Sequence, residues 1–139
     1  MALDLSSLEK AVKSLERALR VATPEHLESM PEDQEEVIKA GVVQNFEFTY
    51  ELCWKFIKRW LAENIGATHV DGVSRRELFR LAAESRLIDD VAQWMEYHDA
   101  RNETTHTYDQ DTADEIFQVA RTFLSDAKNI LQVLEEKND

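Results

Sequence analysis

From Glu32 to Ile65 no proline interrupts the chain, and aromatic and aliphatic residues return at intervals of three and four. The spacing predicts a single long helix from about Glu32 to Ile65, ended by Gly66. Phe46, Tyr50, Cys53, Ile57 and Trp60/Leu61 share one of its faces, and Phe48, Leu52 and Phe56 share another. One apolar stripe suffices to cover a core, so the second calls for burial on another side. A dimer interface would supply that, and so would a central place for the helix within one subunit. Gly (3) and Pro (2) are scarce while Leu, Ala, Glu, Lys and Arg abound, which favours helices over a turn-rich sheet. The expected class is all-α.

The other elements fit an antiparallel, up-and-down bundle of four or five helices. Leu8, Val12, Leu15, Leu19 and Ala22 place a first helix from about Leu5 to Val21, stopping before Pro24. Ser74-Arg75-Arg76-Glu77 has the form of a capping box and opens a short helix through about Arg86. A further helix from Asp89 to about Asn102 turns Val91, Trp94 and Met95 inward. Thr112-Ala113-Asp114-Glu115 repeats the capping pattern and opens the last helix. Its stripe of Ile116, Val119, Phe123, Ala127, Ile130 and Leu134 matches the first helix as a bundle partner. The 139 residues make one domain, 1–139, with no repeat or low-complexity tract.

Cys53 is alone and cannot form an intrachain disulfide; on the apolar face of the long helix it reads as a small core residue. The first residues lack the pattern of a signal peptide and no apolar run approaches membrane-spanning length, so a soluble cytoplasmic protein is expected. The net charge of −12 disfavours non-specific binding along a nucleic-acid backbone, RNA as well as DNA, which needs a basic surface. The acid is unevenly spread. Between Trp54 and Arg86, Lys55, Lys58, Arg59, Arg75, Arg76, Arg80 and Arg86 face only Glu63, Asp71, Glu77 and Glu84, a net +3 against −15 for the remainder. Such a segment is either a helix surface dotted with ion pairs or a local anion-attracting face.

Arg101-Asn102-Glu103-Thr104-Thr105-His106-Thr107-Tyr108 is the stretch that carries chemistry. A guanidinium fork fits a phosphate, and an imidazole can take or give a proton near neutral pH. Residues five apart on a helix lie about 140° apart around its axis, so Arg101 and His106 converge only if the helix ends, kinks or meets a second copy. β-branched Thr104, Thr105 and Thr107, followed by a turn at Asp109-Gln110-Asp111, provide such a break. Asn102 is a supporting candidate, and His98, on the same helix as Arg101, a weaker one; His26 and His69 fall in loops. Glu103-Thr104-Thr105-His106 also has the Glu-x-x-His form used in di-iron bundles. A single copy beside the cation of Arg101 argues against a metal, and none is expected. Glu47, Glu51 and Lys55 form a ladder on the polar side of the long helix, expected to be solvated.

Arg101 and His106 followed by Tyr108 resemble the R-x-x-x-x-H-x-Y signature of the HEPN superfamily. Phe46-Glu47-Phe48-Thr49-Tyr50-Glu51-Leu52-Cys53-Trp54-Lys55 is similar to a block of one of its branches, the nucleotidyltransferase substrate-binding protein family. The two blocks stand in the right order, with Trp94 in place. The resemblance implies a helical bundle that dimerises with its Arg/His segments facing one another, and a small nucleotidyltransferase partner using ATP or another nucleotide. No tightly bound cofactor is implied. The leading expectation is a nucleotide- or substrate-binding subunit of such a pair, often a toxin with its antitoxin, with Arg101, Asn102, His106 and Tyr108 facing the phosphates. The alternative is a metal-independent ribonuclease. In it Arg101 and His106 are catalytic on RNA, Asn102 orients phosphate or imidazole, and AMP addition on Tyr108 silences the enzyme. A third reading is a helical scaffold without catalysis.

Overall fold

In a computed structural model, described over residues 2–138, the described residues form seven helices. They are α1 (Ser6–Val21), α2 (Pro24–Glu28), α3 (Glu32–Ile65), α4 (Ala67–Val70), α5 (Arg75–Glu84), α6 (Val91–Asn102) and α7 (Gln110–Glu136), with a 3-10 turn at Glu103–His106. There is no strand among the described residues. None of the helices is long and apolar enough to cross a membrane.

Side-chain pairings fix the directions of the long helices. Thr49 reaches the Ala11 carbonyl and Asn45 accepts from Ser14, so α1 and α3 run antiparallel. Lys128 pairs with Glu16 and Arg121 donates to the Ala22 carbonyl, making α7 antiparallel to α1. On the far side α6 runs antiparallel to both α3 and α7, held by Arg101 to Glu51 and by Tyr97 to Asp126. The result is the expected up-and-down bundle. Its core is aromatic at the centre: Phe123 of α7 meets Phe46 at 5.1 Å, Tyr97 at 4.9 Å and Trp94 at 5.8 Å, all in edge-on geometry. Near the chain ends, Leu3 and Asn138 exchange two hydrogen bonds, backbone N–H to Oδ1 at 2.7 Å and Nδ2 to the carbonyl at 2.9 Å.

Along α3 one stripe is buried as expected: Phe46, Tyr50, Cys53, Ile57 and Leu61 are inaccessible to solvent. The second divides. Phe56 joins the core, Leu52 packs partly against it, and Phe48 stays 54% exposed. Gly66, at φ 107°, ends the helix in a conformation costly for any residue with a Cβ. Three local expectations are corrected. The last helix starts at Gln110, not at Thr112, because the Asp109 carboxylate captures the Asp111 N–H and caps the chain earlier. The acidic connection after α1 and the stretch after Gly66 each coil into a short helix, so His26 and His69 sit on α2 and α4 and not in loops. The third helix stops at Glu84, and Arg86 takes φ 61°. Its N–H bonds to Ala83 and that of Leu87 to Ala82, a left-handed helix ending usually given to glycine.

Candidate functional site

Helix α6 delivers Arg101 and Asn102 in its last turn, and the chain tightens into the 3-10 turn before reaching Thr107 and Tyr108. The break thus lies where the three threonines place it. Arg101 turns back onto α3. Its Nε donates to Glu51 Oε1 at 2.9 Å, and Nη1 lies 3.9 Å from Glu47 Oε2 and 3.4 Å from Thr104 Oγ1. Thr104 closes the clamp, its hydroxyl 2.5 Å from Glu47 Oε2 and 2.7 Å from the Arg101 carbonyl. Glu47 and Glu51 are therefore not the solvated ladder expected from their spacing. Both are about two-thirds buried, and they hold the guanidinium and pin the start of the 3-10 turn. Charge-assisted bonds of this kind are among the stronger ones.

A second chain of polar contacts runs alongside. Arg75 Nη1 donates to the Tyr50 hydroxyl at 3.4 Å, which in turn faces His98 Nδ1 at 3.0 Å; His98 Nε2 lies 3.4 Å from the Asn102 amide. Burial, and after it the Arg75 guanidinium, hold the His98 imidazole below its ordinary value, outweighing the opposing pull of Asp99 and Glu51. Burial likewise pushes the Tyr50 phenol up. A neutral imidazole carries one N–H: with it on Nδ1 the ring donates to the Tyr50 hydroxyl, and Nε2 is left to accept from the Asn102 Nδ2. His98 thus belongs to the framework beside Arg101, and Asn102 is turned toward it. Arg75 completes the arrangement by lying 3.6 Å above the Trp54 ring, whose Nε1 donates to Glu51 Oε2 at 3.1 Å.

His106 and Tyr108 stand apart from these chains. Both are exposed, Tyr108 by 86%, with their rings edge-on at 6.0 Å. Among the described residues no hydrogen bond joins Arg101 to His106; within one subunit the guanidinium is committed to α3 while the imidazole faces outward. Beneath the turn, a cleft of about 490 Å³ opens between α3 and the start of α7, lined by Lys39, Val43, Glu47, Thr104, Thr107 and Gln110 among others. Its one lysine is already paired, 3.1 Å from Glu35 and 3.3 Å from Asp114. Glu103 and His106 do not join a metal-binding group: no cluster of three or more His, Cys, Asp or Glu suited to a metal occurs among the described residues.

Sequence reasoning did not select Tyr50, Arg75 and Thr104 as site residues, and it gave Glu47 and Glu51 a place near the site only through the family resemblance. The only physical signal was their position: Glu47 and Glu51 border the apolar stripe of α3, where a carboxylate must find a partner or water.

Comparison with known proteins agrees with this architecture. A Haemophilus influenzae protein named probable ribonuclease HepT is 32% identical over 138 residues, covering 98% of this chain and 94% of that one. A Haemophilus influenzae structure, described as revealing the fold of a substrate binding domain of a nucleotidyltransferase, superposes with a TM-score of 0.89 at 31% identity, over 95% of this chain and 99% of that one. A Thermus thermophilus crystal structure gives 0.73 at 28% identity, over 91% and 98%. Residues 3–136 match the model of the family described as nucleotidyltransferase substrate binding protein like. The chain belongs to that family.

Proposed function

We propose that the chain is a metal-independent ribonuclease that a nucleotidyltransferase partner controls, the substrate offered to that partner being the chain's own Tyr108. The observation that carries this reading is the contrast within eight residues between a clamped guanidinium and two exposed groups. Arg101 is fixed to α3, whereas His106 and Tyr108 project from a turn with their side chains in solvent. A base that must reach a ribose 2′-hydroxyl and a phenol that must enter another enzyme both require such access. The relative named as a probable ribonuclease supports the assignment across nearly the whole chain.

In this reading His106 removes the 2′-hydroxyl proton and the oxygen attacks the adjacent phosphorus. Arg101, whose Nη2 makes no hydrogen bond among the described residues, stabilises the charge gathering on the phosphoryl oxygens. A second copy of the chain, meeting the first through this face, brings the acid that protonates the departing 5′-oxygen. Asn102 acts through His98 to hold the last turn of α6. A nucleotidyl group on Tyr108, 6.0 Å from the His106 ring, would place a bulky anion over the base and exclude RNA.

The cleft beneath the turn supports a second reading, a subunit that holds a nucleotide for its partner. Its size suits a nucleoside, but Glu36 and Glu47 face it and Lys39 is already neutralised, so phosphates find no free cation there. Two measurements decide. His106→Ala should lower RNA cleavage by about 10²- to 10⁴-fold, the usual cost of losing a general base. Incubation with the nucleotidyltransferase and ATP should raise the mass by one nucleotidyl group, and Tyr108→Phe should abolish the gain. Cleavage undiminished by His106→Ala refutes the first reading; an unchanged mass with ATP retained on the chain supports the second.

A further inference from the structure

We propose that the face around Arg75, where α5 begins beside the second half of α3, is an anion-binding strip that carries the backbone of single-stranded RNA toward the Arg101/His106 segment. The inference rests on the ribonuclease reading and adds the residues that grip the substrate.

Two guanidiniums border the polar network, and they differ in one respect. The charge of Arg101 is met by Glu47 and Glu51. Arg75 is half-buried, flat against Trp54, with one N–H on a neutral phenol, and among the described residues it has no carboxylate within ion-pair distance. Lys55, Lys58, Arg59 and Arg76 are likewise without a carboxylate partner among the described residues, whereas Arg80, further along α5, is paired with Glu77. The nearest acid on this stretch of α3, Glu51, is engaged by Arg101 and Trp54.

The unneutralised cations are therefore concentrated in the net-positive segment of a chain whose overall charge is −12. They lie next to the proposed site: Arg75 connects through Tyr50 and His98 to Asn102, and Trp54 through Glu51 to Arg101. From Glu47 to Lys58 the helix rises about 16 Å, enough for a few phosphates of an extended strand. Trp54 is covered by Arg75 on one face, with Lys55 5.8 Å from the ring centroid, so bases do not stack on it and recognition falls to the backbone. A flexible single strand is the occupant that fits, because in-line attack by a 2′-hydroxyl needs freedom that a duplex denies.

The test reads binding separately from cleavage. In a His106→Ala background, anisotropy of a short fluorescein-labelled oligouridylate is followed against salt. Arg75→Ala should weaken binding about ten-fold, as for a lost hydrogen bond between charged groups, and reduce the slope of log K against log salt by about 0.7, one phosphate contact on a single strand. Arg75→Lys should restore the slope. Lys55→Ala, on an exposed side chain, should also shallow the slope, and it keeps the test open if Arg75→Ala fails to fold. Arg80→Ala should change nothing. Unaltered affinity and slope in both Arg75→Ala and Lys55→Ala overturn the inference. So does unaltered RNA binding accompanied by loss of the complex with the nucleotidyltransferase, which would make the face a protein dock. If His106-intact protein fails to cleave RNA yet these variants bind it more weakly, the strip stands and the ribonuclease reading falls.

Discussion

The clamp on Arg101 can be weighed by a double-mutant cycle with Glu51, replacing each by alanine singly and together. The bond from Nε to Oε1 is 2.9 Å, and the two side chains are 28% and 30% exposed. At an effective dielectric near 20, unit charges about 4 Å apart attract by about 4 kcal/mol. Holding an arginine and a glutamate in single rotamers costs about 1.5–2 kcal/mol each at full burial, and less here. What remains is a coupling of about 1–2 kcal/mol, above the 0.2–1 kcal/mol usual for exposed pairs. The single Glu51→Ala variant should lose more than that, because Trp54 Nε1 also loses its acceptor. The cycle cancels this extra loss, since Trp54 is equally deprived in the double variant. Urea unfolding followed by far-ultraviolet circular dichroism gives the four stabilities. A coupling below about 0.3 kcal/mol at low salt would mean that Arg101 is not held by α3 in solution. Arg101 would then be no better neutralised by a carboxylate than Arg75.

Three further outcomes follow from the same structure. Because His98 has a lowered folded-state value, the unfolded chain binds the extra proton first, so stability should rise as pH climbs toward and past the ordinary imidazole value of about 6.5. His98→Gln should flatten that part of the profile of urea midpoint against pH; an identical profile would refute the assignment. The Cys53 thiol is buried and its ionisation is pushed up by desolvation. It should resist iodoacetamide in the native protein and react once urea unfolds it, as a mass spectrum would register. Arg86→Gly should stabilise by about 0.5–1 kcal/mol in the same unfolding assay, relief of the left-handed backbone exceeding the added chain entropy. Destabilisation there would show that the arginine side chain contributes more than its strained backbone costs.

The architecture was legible where a pattern repeats within one helix. The reading of Glu32 to Ile65 matches α3 at both ends, and Ser74 caps α5 as its spacing requires, accepting from the Glu77 N–H at 3.1 Å. Boundaries failed where two residues close in sequence each offer a helix cap. Asp109 and Thr112 both suit a helix start, and the aspartate that comes first in the chain captures it. A signal for α2 is present in the sequence: Thr23 accepts from the His26 N–H and Pro24 takes the first helical position. The candidate segment was legible as chemistry, in Arg101, His106 and Tyr108, but its electrostatic setting was not. Glu51 and Arg101 are separated by 50 positions, and nothing in the spacing of either helix says that they meet. The exposure of Phe48 was equally hidden, because a helical period assigns residues to faces without saying which face is covered.

The clasp between Leu3 and Asn138 has a bearing on how the protein can be handled. Ends that exchange hydrogen bonds make the fold nearly a closed ring, so the point at which the polypeptide is cut matters less than the order of helices around the loop. Joining those ends through a short linker and reopening the chain at the exposed turn of Asp71 and Gly72 would preserve every helix. The new termini would emerge on the link between α4 and α5, leaving the original seam free of any attached label.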